Sequence, residues 1–381
     1  MDFKLTAEQI QFRESVKGFA DKYLSNGALD RAYCNQFPLD IAQLLAKQGL
    51  MGITLSEDDG GHGGTLMDAV IAIETIASIC PRSADVVQAG NFGAIRILAE
   101  FGTAMQKSKY LFPLLRGETV MSLGMTEPSA GSAVTDLVTT AKKDGEGFRI
   151  SGTKVFSTHS VQADVILAYV RFGLGTSGIG SVLVEKKMEG VTLGSPIHYL
   201  GGDEWAQIYF DDVYIPKENV VLGVGGFKRQ IAGFNIERIG NAARSLALGQ
   251  LSFDVARDEE SQRKQFGKKL SEFQGLQWKF SDALVELEGA RLLLYRAACN
   301  ADEGFPSLED TSIAKLACNR SGFNAANQAL QILGAAGYSQ DNLVEYCFRR
   351  TRGWMIAGGS IEMMQNRIAE IIFKTRFSQR K

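Results

Sequence analysis

The stretch FRISGTKVFST, residues 148–158, reads as a β-strand in a chain whose other segments read mostly as helix. Ile150, Val155 and Phe156 are β-branched or aromatic, and glycine, serine and threonine punctuate the run as they do around short strands. Three further runs share this texture: ADVILAYVRF (163–172), GSVLVEK (180–186) and AQIYFDDVYIP (206–216). Strands at such spacing predict a small antiparallel sandwich or barrel.

On both sides of this region the pattern is helical. LTAEQ offers Thr6 as an N-cap with Gln9 three residues on, a capping-box arrangement. Val16, Phe19, Ala20 and Tyr23 then fall on one face. Further helices are expected at 39–49, 65–80 and 88–101, interrupted by the turn-rich SEDDGGHGG at 56–64. After GVGG (223–226), runs over roughly 228–258, 271–302 and 308–334 have the length of bundle helices, and a shorter helix follows residue 360. The expected class is therefore α+β, mostly α. It comprises a helical N-terminal domain (1–119), a central β domain (120–225) and a C-terminal helical bundle (226–381). Strand and helix do not alternate, which argues against a Rossmann core.

Composition narrows the function classes. The 381 residues are 45% hydrophobic and 22% charged with a formal charge of −2, which gives no electrostatic case for nucleic acid or an anionic membrane surface. Five scattered cysteines suit a reducing compartment, and the three histidines form no ligand spacing with them, so no metal site is expected. The opening MDFKLTAEQIQF lacks an apolar signal core, and no apolar run is long enough to span a membrane. A cytoplasmic protein is the expectation.

Five motifs carry chemistry. GMTEPSAGSA (124–133) can lay backbone N–H groups and the hydroxyls of Thr126 or Ser132 against a flat polar ligand, though it also reads as an ordinary Pro-Ser-Gly turn. KVFSTHS (154–160) ends a strand with Phe156, able to cover an aromatic ring, and Thr158, able to bond its edge; a core phenylalanine with turn residues reads equally well. SQRKQFGKKLSEFQGLQ (261–277) joins a basic cluster to Phe266 and Gln274, and Arg263 suits a pyrophosphate as readily as a solvated loop. QILGAAGY (331–338) ends a helix in glycines. WMIAGGSIEMMQ (354–365) sets Gly358, Gly359 and Ser360 before a helix, where a backbone can approach a ligand closely.

Taken together and in order, these segments resemble the flavin-dependent acyl-CoA dehydrogenase family, over essentially the whole chain. MTEPSAGS is similar to that family's first flavin-contacting loop and KVFST to its aromatic–x–Thr strand. RKQFGKKLSEFQ resembles its Arg-x-x-Phe-Gly…Gln segment and QILGAAGY its Gln-x-x-Gly-x-x-Gly turn. GGS stands where the family has a Gly-Thr that grips the flavin.

The resemblance implies a C-terminal four-helix bundle and FAD wedged between it and the β domain, in a dimer or dimer of dimers (a homotetramer). It implies that Met125, Thr126 and Ser132 contact flavin or substrate and that Phe156 and Thr158 border the isoalloxazine ring. Arg263, Phe266 and Gln274 would reach the FAD of a neighbouring subunit. Gln331 and Gly334 would hold the adenosine-diphosphate end, with Ser360 and Glu362 near the cofactor.

Many members carry the catalytic glutamate directly before the Gly-Thr pair, where this chain has Gly358. A minority, which includes isovaleryl-CoA dehydrogenase, places the base on the first long bundle helix directly before an arginine. GFNIERIGNAAR (233–244) puts Glu237 and Arg238 at those positions, and Gly358 would leave the space that Glu237 enters.

The implied reaction is α,β-dehydrogenation of an acyl thioester. Glu237 takes the Cα proton, a hydride leaves Cβ for flavin N5, and an N–H of Gly358 or Gly359 meets the developing oxyanion. The carrier would be coenzyme A or an acyl carrier protein, and the electron acceptor an electron-transfer flavoprotein.

Two departures mark a divergent member: Ala133 replaces an acid after Gly-Ser, and Arg350 replaces the acid after Arg349. Gln88 and Asn91, in a segment that lines the acyl cavity in relatives, hint at a polar acyl chain, and core-capping polar residues explain them as well. Two other readings stay open: a redox-neutral lyase or desulfinase on the same fold, and a flavoprotein scaffold that binds nucleic acid.

Overall fold

The computed structural model describes residues 4–301 and 305–377. The chain forms two compact units, each assembled from separated segments. One comprises Met1–Tyr33, Thr65–Gln88 and Asn235–Lys381; the other comprises Cys34–Gly64 and Ala89–Phe234.

The first unit is helical. Its opening helix, Ala7–Tyr23, starts at the expected capping box: Thr6 accepts from the Gln9 N–H, and the Gln9 side chain accepts from the Thr6 N–H. The long helices Phe227–Glu260, Gln274–Cys299 and Leu308–Leu333 lie close to the expected ranges. Residue 302, where one of those ranges ended, lies outside the described residues. Ala28–Ala32, Leu66–Ala77, Ala335–Tyr338, Leu343–Trp354 and Ile361–Phe373 also belong to it. Gly249 and Gly322 let the first and third of the long helices approach closely, since a Cβ on Gly322 would lie 2.1 Å from the Ser245 carbonyl oxygen.

The expected 88–101 helix is two pieces with a turn between them: Pro81–Ala89, assigned to the first unit as far as Gln88, and Ala94–Phe101 of the second. Gly93 adopts φ 70° at the N-cap of the second piece, and Gly90 admits Met51 where a side chain would collide. Pro81, which has no N–H to lose at a helix start, opens the piece that the periodicity missed.

The β region forms one eight-stranded sheet. Its strands run in the order Val220–Leu222, Ile179–Glu185, Val165–Arg171, Thr140–Asp144, Gly147–Lys154, Ile208–Ile215 and Val191–Leu193, with Met121–Gly124 paired to Val165–Arg171. Antiparallel pairs dominate, as expected, but Met121–Gly124 and Thr140 pair in parallel with Val165–Arg171. The VILAYVR run is buried on both faces, which is why it reads as continuously apolar rather than alternating. Ile166, Ala168 and Val170 enter one core with Ile150, Val184 and Phe210, while Val165 and Leu167 enter another with Leu98, Leu111 and Leu183.

Candidate functional site

Two constellations, one in each unit, hold most of the predicted site residues. In the β-containing unit, the strand Gly147–Lys154 ends two residues before Phe156, so Phe156 and Thr158 lie in the irregular segment beyond it. Phe156 has φ 57°, unusual for a residue with a bulky side chain, and stays 57% exposed. Strain of that kind persists only where surrounding structure fixes it. Trp205 backs the ring at 4.6 Å, and Tyr199 in turn stacks on Trp205 at 5.9 Å. Neither residue was singled out in the sequence, because the backing depends on a hairpin about forty residues downstream.

The 124–133 loop is stitched to this segment. The Val155 N–H donates to the Thr126 carbonyl at 2.9 Å, and the Ser122 hydroxyl donates to the Thr158 carbonyl at 2.8 Å. Beneath them the fully buried Lys154 donates to Glu127 at 2.7 Å. Glu127 also accepts from the Val138 N–H at 2.6 Å and the Thr139 N–H at 3.0 Å. Burial alone would raise the Glu127 pKa, but Lys154 and these N–H donors outweigh it and hold the carboxyl below its ordinary value. Met125 packs partly buried against Ala130, Leu137, Tyr169 and Ile179. The structure thus brings Met125, Thr126, Phe156 and Thr158 together and leaves Ser132 exposed on the loop.

In the helical unit, Glu237 projects from the long Phe227–Glu260 helix and is partly buried rather than a surface residue. Its Oε1 accepts from the Gln88 amide at 2.5 Å. Desolvation raises its pKa; Arg244, the Gln88 bond and Lys315 pull the other way without cancelling it. Arg238 donates to the Gly358 carbonyl at 3.1 Å and to Asn235 Oδ1 at 2.8 Å, so it pins the glycine turn to the helix that carries Glu237. From the other side, the buried Lys315 donates to the Trp354 carbonyl at 3.1 Å, and burial draws its own pKa down to about 7.

The space over Gly358 is faced by Lys315 and Asn241, whose atoms would lie 3.5 and 3.7 Å from an added Cβ. No Glu237 atom lies within 4 Å of that position, so the expectation that Glu237 enters it is corrected. Lys315 is a polar anchor that periodicity reads as one more bundle-helix residue.

Gly358 and Gly359 adopt φ 72° and 90°, and neither N–H has an acceptor among the described residues. Ser360 caps the Ile361–Phe373 helix by accepting from the Met363 N–H at 3.4 Å. Glu362 is exposed in its first turn, and a hydrogen bond with Ser360 lowers its pKa.

The departure at Arg350 finds its reason here. Arg350 donates to Asp85 at 2.6 Å, and Arg244 and Arg82 reach the same carboxylate at 2.9 and 3.3 Å. Asn91 serves the backbone, accepting from the Ile53 N–H and donating to the Leu50 carbonyl, so it is a core-capping residue. Gln88 instead faces Glu237.

The remaining predicted residues lie at the far end of the bundle. Lys264–Gln265 and Lys268–Lys269 form a hairpin whose turn residues Phe266 and Gly267 have φ 50° and 83°. Phe266 is 92% exposed at its tip. Arg263 donates to the Leu333 carbonyl at 3.5 Å, which sets the hairpin's base beside Gly334, while Gln274 and Gln331 are exposed. No helix of the described residues is long and apolar enough to cross a membrane. No group of metal-ligating side chains occurs among them.

With this geometry in hand, comparison with known proteins gives consistent matches. Family models described as acyl-CoA dehydrogenase N-terminal, middle and C-terminal domains match residues 6–118, 122–213 and 225–373. An acyl-CoA dehydrogenase, short-chain specific, of Clostridium acetobutylicum is 34% identical over 98% of this chain and 100% of its own. A 3-sulfinopropanoyl-CoA desulfinase of Paraburkholderia xenovorans is 32% identical over 100% of this chain and 99% of its own. Among solved structures, butyryl-CoA dehydrogenase of Megasphaera elsdenii superposes with a TM-score of 0.90 at 30% identity, covering 98% of this chain and 100% of that one.

Proposed function

The chain belongs to the acyl-CoA dehydrogenase family, and from that premise we propose that it oxidises an acyl-CoA thioester between Cα and Cβ with Glu237 as the base. The observation that carries this reading is the state of Glu237: a carboxyl in a polar niche, its pKa raised by burial, in a chain whose usual base position is Gly358.

The residues present fit FAD. Phe156 offers an exposed aromatic face held in a strained backbone, and the Gly358 and Gly359 N–H groups lack acceptors beside a capped helix start. Met125, Thr126 and Ser132 would contact flavin or substrate, Phe156 and Thr158 would border the ring, and Ser360 and Glu362 would lie near the cofactor. Gln331 and Gly334 would hold the adenosine-diphosphate end, and Arg263, Phe266 and Gln274 would reach the FAD of a neighbouring subunit. When bound, FAD supplies the acceptor for the hydrogen and electron pair that leave Cβ.

The protein's share of the chemistry follows. Glu237 takes the Cα proton; a raised pKa brings a carboxylate closer to the basicity that this weakly acidic C–H requires. Arg238 and Lys315 hold the 354–359 turn from two helices, so that an N–H of Gly358 or Gly359 can meet the negative charge developing on the thioester oxygen. The electrons pass on to an electron-transfer flavoprotein. Trp278, Val285 and Phe266 are exposed apolar side chains of the helical unit, which suits coverage by further copies in a dimer of dimers.

The kinship with a desulfinase favours a second reading, redox-neutral cleavage of an anionic acyl-CoA. Anaerobic mixing with a panel of acyl-CoA esters separates the two. Bleaching of the flavin absorbance supports the oxidation; flavin that stays oxidised while 3-sulfinopropanoyl-CoA loses sulfite supports the lyase.

A further inference from the structure

Gln88 is 3% exposed, and its two polar atoms have unequal fates. Nε2 donates to Glu237 Oε1 at 2.5 Å, whereas the amide Oε1 is buried with no partner. An amide donates from one side and accepts on the other, so the unused oxygen is an acceptor held in reserve beside the base. A carboxylate can only accept, while a protonated carboxyl also donates, and a base passes through both forms in each turnover.

We propose that Gln88 is the positioning residue for both forms of the base, donating to ionised Glu237 and, after a half-turn of its amide, accepting the O–H of protonated Glu237. The proposal rests on the reading of Glu237 as the base. The proton itself moves only from substrate Cα to the Glu237 carboxylate; Gln88 gains and loses none.

Other charged groups cannot take this part. Arg244, on the same helix as Glu237, and Lys315, from the Leu308–Leu333 helix, act on the carboxyl as cations and favour only its ionised form. On the helix that carries Gln88, Arg82 and Asp85 are committed to the cluster with Arg244 and Arg350.

The test uses the FAD-loaded enzyme with Gln88→Met, which removes donor and acceptor at similar length, and Gln88→Asn, which keeps the amide but shortens its reach. Plateau kcat falls by about tenfold in both variants, with KM and flavin content nearly unchanged.

Infrared difference spectra at low pH then read the protonated carboxyl, identified by its loss in Glu237→Gln. Its carbonyl stretch is expected to rise in Gln88→Met as the O–H loses its acceptor. A stretch that does not move, or a plateau kcat that stays at the wild-type level, overturns the proposal. Full activity in Glu237→Gln would instead remove the base assignment, which is a separate failure.

Discussion

Two buried glutamates, one in each unit, have opposite electrostatic fates. Glu127 receives Lys154 and two backbone N–H groups, and its pKa lies below the ordinary carboxyl value. Glu237 receives one amide hydrogen, with cations nearby but not bonded to it, and its pKa is raised. Desolvation pushes both upward; at Glu127 the charge of the bonded Lys154, with the hydrogen bonds, outweighs it, and at Glu237 Arg244, Gln88 and Lys315 do not. A fully bonded carboxylate is fixed in its charge and serves as a strut, here between the 124–133 loop and the strand leading to Phe156. An under-bonded carboxyl can change protonation state, which is what a general base must do.

This contrast is most open to test through stability. Lys154→Met leaves Glu127 charged and buried without its cation, and the expected loss is about 3–5 kcal/mol in urea unfolding at neutral pH. Glu237→Gln is expected to leave stability unchanged or raise it, because a burdened charge is removed while an amide can still meet Gln88. Loss of several kcal/mol in Glu237→Gln would erase the distinction.

A smaller effect follows from the signs of the two shifts. The ordinary carboxyl value is 4.5. Glu127, lowered in the fold, contributes stability that is present above that value and is lost as the pH falls through its folded pKa. Glu237, raised in the fold, costs stability as the pH climbs from 4.5 through its folded pKa. The stability difference between Glu127→Gln and wild type should therefore close on acidification below 4.5. Any advantage of Glu237→Gln should appear only above that value. Unfolding curves across a pH series read both.

The smallest effect concerns the glycine turn. Gly358→Ala meets only ordinary contacts, 3.5 Å to Lys315 and 3.7 Å to Asn241, so its cost is that of φ 72° for an L-residue, about 1–2 kcal/mol. A much larger loss would mean that the turn is held more tightly than Arg238 and Lys315 alone imply.

Much of this fold could be read from local pattern. The Thr6–Gln9 box, the bundle helices and the β-rich centre depend on residues within a few positions of one another, where periodicity and capping chemistry act. The break between Ala89 and Ala94 was less legible, because Gly90 is required by Met51, a neighbour about forty positions away. The site was legible as motifs but not as contacts. Glu237 came from resemblance to a family, yet its partner Gln88 lies 149 positions earlier. Arg350 stood out as a departure, and Asp85, 265 positions away, explains it. Gln88 and Asn91 looked alike in sequence, both buried amides near one helix end. Only the fold shows that one bonds the backbone and the other Glu237.

The central claim, that the Glu237 carboxylate removes the Cα proton, is tested most directly by α-proton exchange. FAD-loaded enzyme in D2O would be given an acyl-CoA analogue that cannot be oxidised at Cβ, and deuterium at Cα would be followed by NMR. Wild type is expected to incorporate deuterium, with Glu237→Gln slower by roughly 10²–10⁴-fold at unchanged analogue affinity. Exchange at the same rate in both proteins would contradict the account.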